Sequence, residues 1–329
     1  MEWIDVLSDS IRTALGPTAA AYALAAIGLN LHFGYTGLLN FGHVAFLMTG
    51  AYGAAITVDQ GGPLWLGFLV GVAAAVILGL LFGLPTLRLR VEYLAIVTIA
   101  AGEVLRTVVR SGGEDSLTRG VFGIQGFADD FFDANPFSNG TYGWDRLAYS
   151  ERSLWVMLVG WSLVALATVL VTALVRSPWG RVLRAIREDE DAARSLGKNV
   201  FRFKLQSLVL GGVLGALAGM LLAINRQSVQ PDTFLPVLTF AIFTVVILGG
   251  PGTRFGPVIG AIVYWFVIQF TDGVLRGAVE AGWVSEETLS SERIAGGRFV
   301  LVGLLLMALI VFRPQGILGK REEVLLERD

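Results

Sequence analysis

The sequence predicts an all-α polytopic integral membrane protein of about nine transmembrane helices, within a range of eight to ten, some broken or re-entrant, plus an amphipathic helix on the cytoplasmic side. Three observations lead there. Of 329 residues 54% are apolar and only 16% charged, with a mean hydropathy of +0.66, against about 25% charge in a soluble domain. Several uninterrupted apolar runs are long enough to cross a bilayer. Between them the bases cluster in one loop and the acids in another.

The residues from Met1 to Asp9 carry acids where a signal peptide needs bases, so they are expected to stay on the chain as a short interfacial lead-in. A crossing needs roughly 20 apolar residues. Residues 64–84 and 154–175 meet this with no ionisable residue, and 205–224 does so with Gln206 as its strongest polar interruption. Each Leu, Ile, Val or Phe favours insertion by about 0.3–0.6 kcal/mol, so such runs insert unaided. The remaining candidates, 17–32, 38–58, 93–109, 234–248, 257–270 and 299–312, are shorter or interrupted, so they must tilt, break or borrow flanking residues.

Loop charge orients the spans. Residues 176–204 hold Arg176, Arg181, Arg184, Arg187, Arg194, Lys198, Arg202 and Lys204, and more bases follow in the tail 313–329, so both are expected in the cytoplasm. The loop 111–152 carries Glu114, Asp115, Asp129, Asp130, Asp133, Asp145 and Glu151 and falls outside by parity. Nine crossings also place Arg88 and Arg90 inside and the acidic amino terminus outside. The whole chain, 1–329, is expected to form a single transmembrane domain.

Composition excludes several function classes. A net charge of −2 does not suit a nucleic-acid binder that neutralises phosphates. Zero cysteines exclude disulfide scaffolds, thiol nucleophiles, iron–sulfur clusters and Cys-ligated zinc, and two histidines, His32 and His43, exclude a three-histidine metal site.

Between the first two spans lie Asn30, His32, Gly34, Gly37, Asn40, Gly42 and His43. Glycines there permit a broken helix whose freed backbone faces a cavity, which makes Asn30, Asn40, Gly42 and His43 candidate path residues. A tight turn with satisfied polar side chains fits equally. A second glycine-rich turn, Gly249-Gly-Pro-Gly-Thr-Arg-Phe-Gly-Pro257, again separates two short spans and hints at an internal repeat. Glu103 and Arg106, three apart, share one helix face. A charge at the bilayer centre costs roughly 2.5–3.5 kcal/mol, so they should pair or face protein and water, either as a structural ion pair near the outer end or in a permeation path. Glu92 and Asp272 fall at span ends, which leaves few carboxylates for a proton relay.

In the basic loop, Ser177-Pro178 is a helix start. Trp179, Val182, Leu183 and Ile186 follow at the spacing of one apolar stripe, and Gly197 is placed as a helix stop. Such a helix can lie on the membrane or dock a soluble partner. The acids Glu188-Asp-Glu-Asp191 argue against simple anchoring to anionic lipid.

Gly34-Tyr-Thr-Gly-Leu-Leu-Asn-Phe-Gly-His43, Gly50-Ala-Tyr52, Gly112-Gly113, Gly180-Arg-Val-Leu-Arg-Ala-Ile-Arg187, Leu248-Gly-Gly250, Gly256-Pro-Val-Ile-Gly260 and Phe312-Arg-Pro-Gln-Gly-Ile-Leu-Gly319, in this order and spacing, resemble the LivM-type permease subunit of branched-chain amino acid ABC importers. The resemblance runs over residues 20–319. It implies a half-pore in a bacterial or archaeal plasma membrane, paired with a LivH-like permease subunit, bound to two cytoplasmic ABC ATPase subunits, supplied by an extracytoplasmic substrate-binding protein and embedded in membrane lipid. Asp191-Ala-Ala-Arg-Ser-Leu-Gly197 is similar to the signature by which importer permeases engage their ATPases, without its Ile-x-Leu-Pro tail. The implied ATPase-coupling residues are Arg187, Glu188, Asp189, Asp191, Ala192, Ala193 and Gly197, and Glu103 joins the path candidates.

No phosphate-binding loop Gly-x-x-x-x-Gly-Lys-Ser/Thr is present, since the Gly-Lys pairs Gly197-Lys198 and Gly319-Lys320 lack the rest. The chain is therefore expected to be no enzyme and to hold no cofactor, with ATP and Mg on the partner ATPase subunits. The same machinery for urea or short amides, and an ion-coupled secondary carrier, are the alternatives.

Overall fold

A computed structural model describes residues 3–281, apart from 88, 90, 114, 115 and 144, together with 296, 297, 300, 303, 304, 307 and 311–319. Most of the predicted span 299–312, Arg88, Arg90, Glu114, Asp115 and the tail beyond Gly319 lie outside the described residues. The helices are α1 (Trp3–Leu15), α2 (Pro17–Asn30), α3 (His43–Asp59), α4 (Leu64–Thr86), α5 (Val91–Arg110), α6 (Asp129–Asp133), α7 (Glu151–Arg176), α8 (Pro178–Glu188), α9 (Glu190–Ser195), α10 (Val200–Arg226), α11 (Pro236–Gly249) and α12 (Gly256–Glu280).

All eight predicted spans inside the described region coincide with helices. By length and composition alone, α4, α7, α10 and most of α12 suffice to cross a membrane, and α1 with α2 makes a fifth candidate bent by 45°. The amino-terminal segment is thus more than an interfacial lead-in. It is a helix packed along α12, with Val6 against Gly273, while Trp161 donates its indole N–H to the Leu15 carbonyl at 2.7 Å. Its exposed side chains Ile4, Leu7, Ile11 and Leu15 recur every three to four residues, an apolar stripe left for lipid.

The two short helices are the breaks that the glycine turns announced. At about 1.5 Å per residue, α3 and α11 reach about 26 and 21 Å, short of a hydrocarbon core of about 30 Å. Helix α2 runs on into a π-turn, Leu31–Tyr35, and the chain then doubles back before α3 starts. A helix start inside a bundle leaves amide groups that water cannot satisfy. Here other elements capture them: Thr98 of α5 accepts from Phe41 N at 3.2 Å, Asn40 from Gly42 N at 3.1 Å, and Thr239 of α11 from Val44 N at 3.0 Å.

Helix α10 is the axis of the bundle, packed against α2, α3 and α4. Between helices in lipid, small residues that let backbones approach supply the packing. Gly211, Gly215 and Gly219 recur every fourth residue and face Gly28, His43 and Leu47 respectively. Apolar side chains of α4 (Leu69, Ile77, Leu81) and α7 (Leu166, Val169, Leu170) point outward and form lipid-facing surface. Outside the helices, Ile124–Gln125 pairs antiparallel with Ser228–Val229 and ties the long loop to the end of α10.

Candidate functional site

The basic loop folds as an elbow of two helices. Ser177 caps α8 by accepting from Trp179 N at 3.2 Å, Pro178 occupies the first turn, and Gly180, Leu183 and Ile186 are buried. The sequence predicts one helix ending at Gly197. Instead the chain breaks at Asp189, whose backbone is extended (φ −152°, ψ 105°) and whose carboxylate accepts from Asp191 N and Ala192 N, both at 2.9 Å. The four acids explain the break, because carboxylates suit a helix start and not a helix end. Gly197, at φ +76°, is the stop that the sequence predicts.

Among the coupling candidates, Arg187, Glu188, Asp189, Asp191, Ala192 and Gly197 are exposed, while Ala193 is buried in a small cluster with Ile186 and Val200. Arg194 pairs with Glu190 and Asp191 at 2.8 and 2.9 Å, and Glu190 also holds Lys204 of α10. Leu196, which sequence reasoning did not single out, is 79% exposed at the tip of the elbow. Its signal was present: it stands between the charged helix and the stop glycine with no apolar stripe to join.

Arg187 behaves differently from its neighbours. Its guanidinium donates to the carbonyl of Gly34 in the π-turn, lies against Gly252 of the second glycine turn, and its stem covers Gly37. Asn30 joins the same two turns from within, accepting from Gly252 N at 2.8 Å and donating to Thr253 O at 2.9 Å. The three segments that the sequence marks separately therefore meet at one place.

Behind this junction the polar residues between α2 and α3 are enclosed. Asn30, Asn40 and His43 are at most 2% exposed, and Gly42 lies on the Thr98 carbonyl. His32 Nε2 donates to the Leu208 carbonyl at 3.0 Å, so its Nδ1 accepts from Asn40 Nδ2 at 3.3 Å. His43 Nε2 donates to Ala25 O at 3.1 Å. The Thr36 hydroxyl donates to the Leu31 carbonyl at 2.8 Å and accepts from the Ser207 hydroxyl at 2.7 Å, which also lies 3.1 Å from that carbonyl. Most of these polar groups are paired inside the chain, while His43 Nδ1 is buried with no partner among the described residues.

Glu103 lies elsewhere, toward the outer end of α5. Arg106 donates Nε to both of its carboxylate oxygens at 3.1 and 3.0 Å, and Nη1 to Asp232 at 3.0 Å, which Arg110 also holds at 3.1 Å. Asp232, on the turn before α11, is the member that spacing could not reveal. The Arg106 side chain is 10% exposed, against 40% for Glu103 and 48% for Asp232, so the cluster opens onto the outer surface of the chain.

A family model described as the permease component of branched-chain amino acid transport systems matches residues 17–309. The high-affinity branched-chain amino acid transport system permease protein LivM of Salmonella typhimurium is 31% identical over 312 residues, 90% of this chain and 67% of the relative. A probable LivM of Methanocaldococcus jannaschii is 23% identical, with 91% of each chain covered. LivH of Salmonella typhimurium, at 26%, covers 92% of each. The solved PsaBC from Streptococcus pneumoniae in complex with Fab is similar at 17% identity and a TM-score of 0.41, over 100% of this chain and 99% of that one.

Proposed function

Since the chain belongs to the permease-component family of branched-chain amino acid transport systems, we propose that it carries leucine, isoleucine and valine across the plasma membrane as one half of a two-permease path. It is a multi-pass membrane protein and a transporter component that works with partner subunits. The proposed partners are a LivH-like permease, two cytoplasmic ATPase subunits that hold ATP and Mg, and an extracytoplasmic binding protein. The elbow and the carboxyl terminus lie in the cytoplasm on this reading, which the bases of 176–204 support.

One observation carries the proposal: Arg187 of the exposed elbow α8–α9 is bonded to Gly34 of the π-turn and lies against Gly252 of the second glycine turn. A push on α9 from an ATPase subunit moves Arg187, and Arg187 moves the π-turn and the Gly249–Gly256 turn together. Asn30, Asn40, Gly42 and His43 hold the broken start of α3 behind the path. Glu103 faces the path itself, because a charged face on a span avoids lipid and is tolerated toward water or a partner. The two turns then tilt α3 and α11 between an outward-open and an inward-open arrangement.

The test is leucine uptake into vesicles assembled with the three kinds of partner, with ATP on the elbow side. Uptake is expected to vanish when the ATPase subunits are omitted. Leu196→Asp is expected to weaken ATPase binding about 30-fold, the effect of losing one contact of about 2 kcal/mol at the centre of an interface. Leucine accumulation by the chain alone contradicts the proposal.

A further inference from the structure

A cavity beside the junction of the two glycine turns has no role in the transport reading above. Where α7 turns into α8, a cavity of about 420 Å³ opens between the two helices and the second glycine turn, lined among others by Tyr35, Val175, Arg184, Thr253, Arg254 and Phe255. Two of its walls are cationic, and among the described residues no carboxylate lines it. Arg184 is fixed in place by donating to the Val175 carbonyl at 3.1 Å, which leaves the rest of its guanidinium fork free. Arg254 has no ion pair among the described residues and is exposed.

Its depth is set by the helices around it. The outward apolar face of α7 runs through Leu166, Val169, Leu170 and Leu174 and ends at Arg176, one residue before the α8 cap. Trp179, half-buried and bonded to Gln206 at 2.8 Å, stands at the same level, as indoles do at the membrane–water boundary. Phe255, 58% exposed, forms the apolar lip. The cavity therefore lies at headgroup depth, with the exposed Phe255 at its mouth.

We infer that this cavity binds the phosphodiester headgroup of an anionic phospholipid, with Arg184 and Arg254 on the phosphate and the acyl chains leaving past Phe255. A basic cavity at the membrane surface suits such a headgroup. The exposed apolar lip of Phe255 and the position of the cavity at the end of the α7 span favour a lipid over free phosphate, which has no use for either. The break at Asp189 makes this compatible with the acids of the same loop: Arg181 and Arg184 belong to α8, which carries only Glu188 at its last position, and Glu190 and Asp191 belong to the separate helix α9. The inference rests on the membrane reading alone and stands whatever solute is carried.

The test is native mass spectrometry of the purified full chain with phosphatidylglycerol or phosphatidylcholine. The chain is expected to retain phosphatidylglycerol preferentially, with Arg184→Gln or Arg254→Gln weakening retention about fivefold and the double variant about 25-fold. Arg254→Lys should keep most of it, and Arg194→Gln, whose arginine is already paired in α9, should change nothing. Equal retention of the two lipids by the unmodified chain overturns the inference without reference to any variant. So does displacement of the lipid by millimolar inorganic phosphate. A double variant that keeps phosphatidylglycerol but loses the ATPase subunits makes the arginines a protein contact and overturns it too.

Discussion

Gly219→Leu is expected to yield no folded permease. A side chain at 219 would place its first carbon 1.9 Å from the Leu47 carbonyl oxygen and 2.5 Å from the carbonyl carbon. Both are backbone atoms of α3, so no rotamer change relieves the clash. Overpacking a core commonly costs about 1–3 kcal/mol where side chains can yield. Here two helix backbones must separate along the α10 axis, and we expect at least about 3 kcal/mol, a large part of a typical total of about 5–15 kcal/mol. The measurement is the thermal midpoint and monodispersity of the purified chain. Gly219→Ala should already lower the midpoint, and Gly140→Ala, with open space around it, should not. A leucine variant as stable as the parent would mean that the close approach of α3 and α10 is not what holds the bundle.

Arg187→Ala is expected to leave the chain folded, and the assembled transporter still hydrolysing ATP, while leucine moved per ATP falls about tenfold. A hydrogen bond with a charged donor contributes about 1.5–3 kcal/mol, roughly a tenfold to hundredfold factor in an equilibrium. Because Arg187 is solvent-accessible, the lower end applies. The bond it makes to Gly34 is the direct side-chain link from α8 to the π-turn, and its contact with Gly252 carries the same motion to the start of α12. Without it the elbow can move while the turns stay. Lysine at 187 keeps the charge but not the planar fork, so partial recovery is expected. Transport and hydrolysis measured on one reconstituted sample separate this from a binding defect, which lowers both. An unchanged ratio contradicts the role given to Arg187.

The membrane helices were legible because hydropathy over 20 residues is a strong signal and needs no tertiary partner. Residues 64–84 and 154–175 read almost as they stand in α4 and α7. The glycine turns were legible as breaks, but their meeting was not, since Asn30 reaches Gly252 across 222 positions and no periodicity encodes such a contact. For the same reason Thr98 and Thr239, which catch the first amides of α3, were invisible, as was Asp232 beside Arg106. The stripe Gly211, Gly215, Gly219 could have been found from its four-residue spacing alone. The elbow was read as one helix because its apolar stripe and its stop glycine both fit one. Only the position of Asp189, with two acids after it, marked a second start.

The central claim is that the elbow faces the cytoplasm and is the part on which a separate ATPase pushes. The chain contains no cysteine, so a single Ser195→Cys next to the exposed Leu196 reports on the elbow without background. The most direct measurement is its reaction with a membrane-impermeant maleimide in sealed vesicles of both orientations, with and without the ATPase subunits. The account expects labelling only from the cytoplasmic face, slowed when the ATPase subunits are bound. Labelling from the exterior, or a rate that bound ATPase leaves untouched, contradicts it.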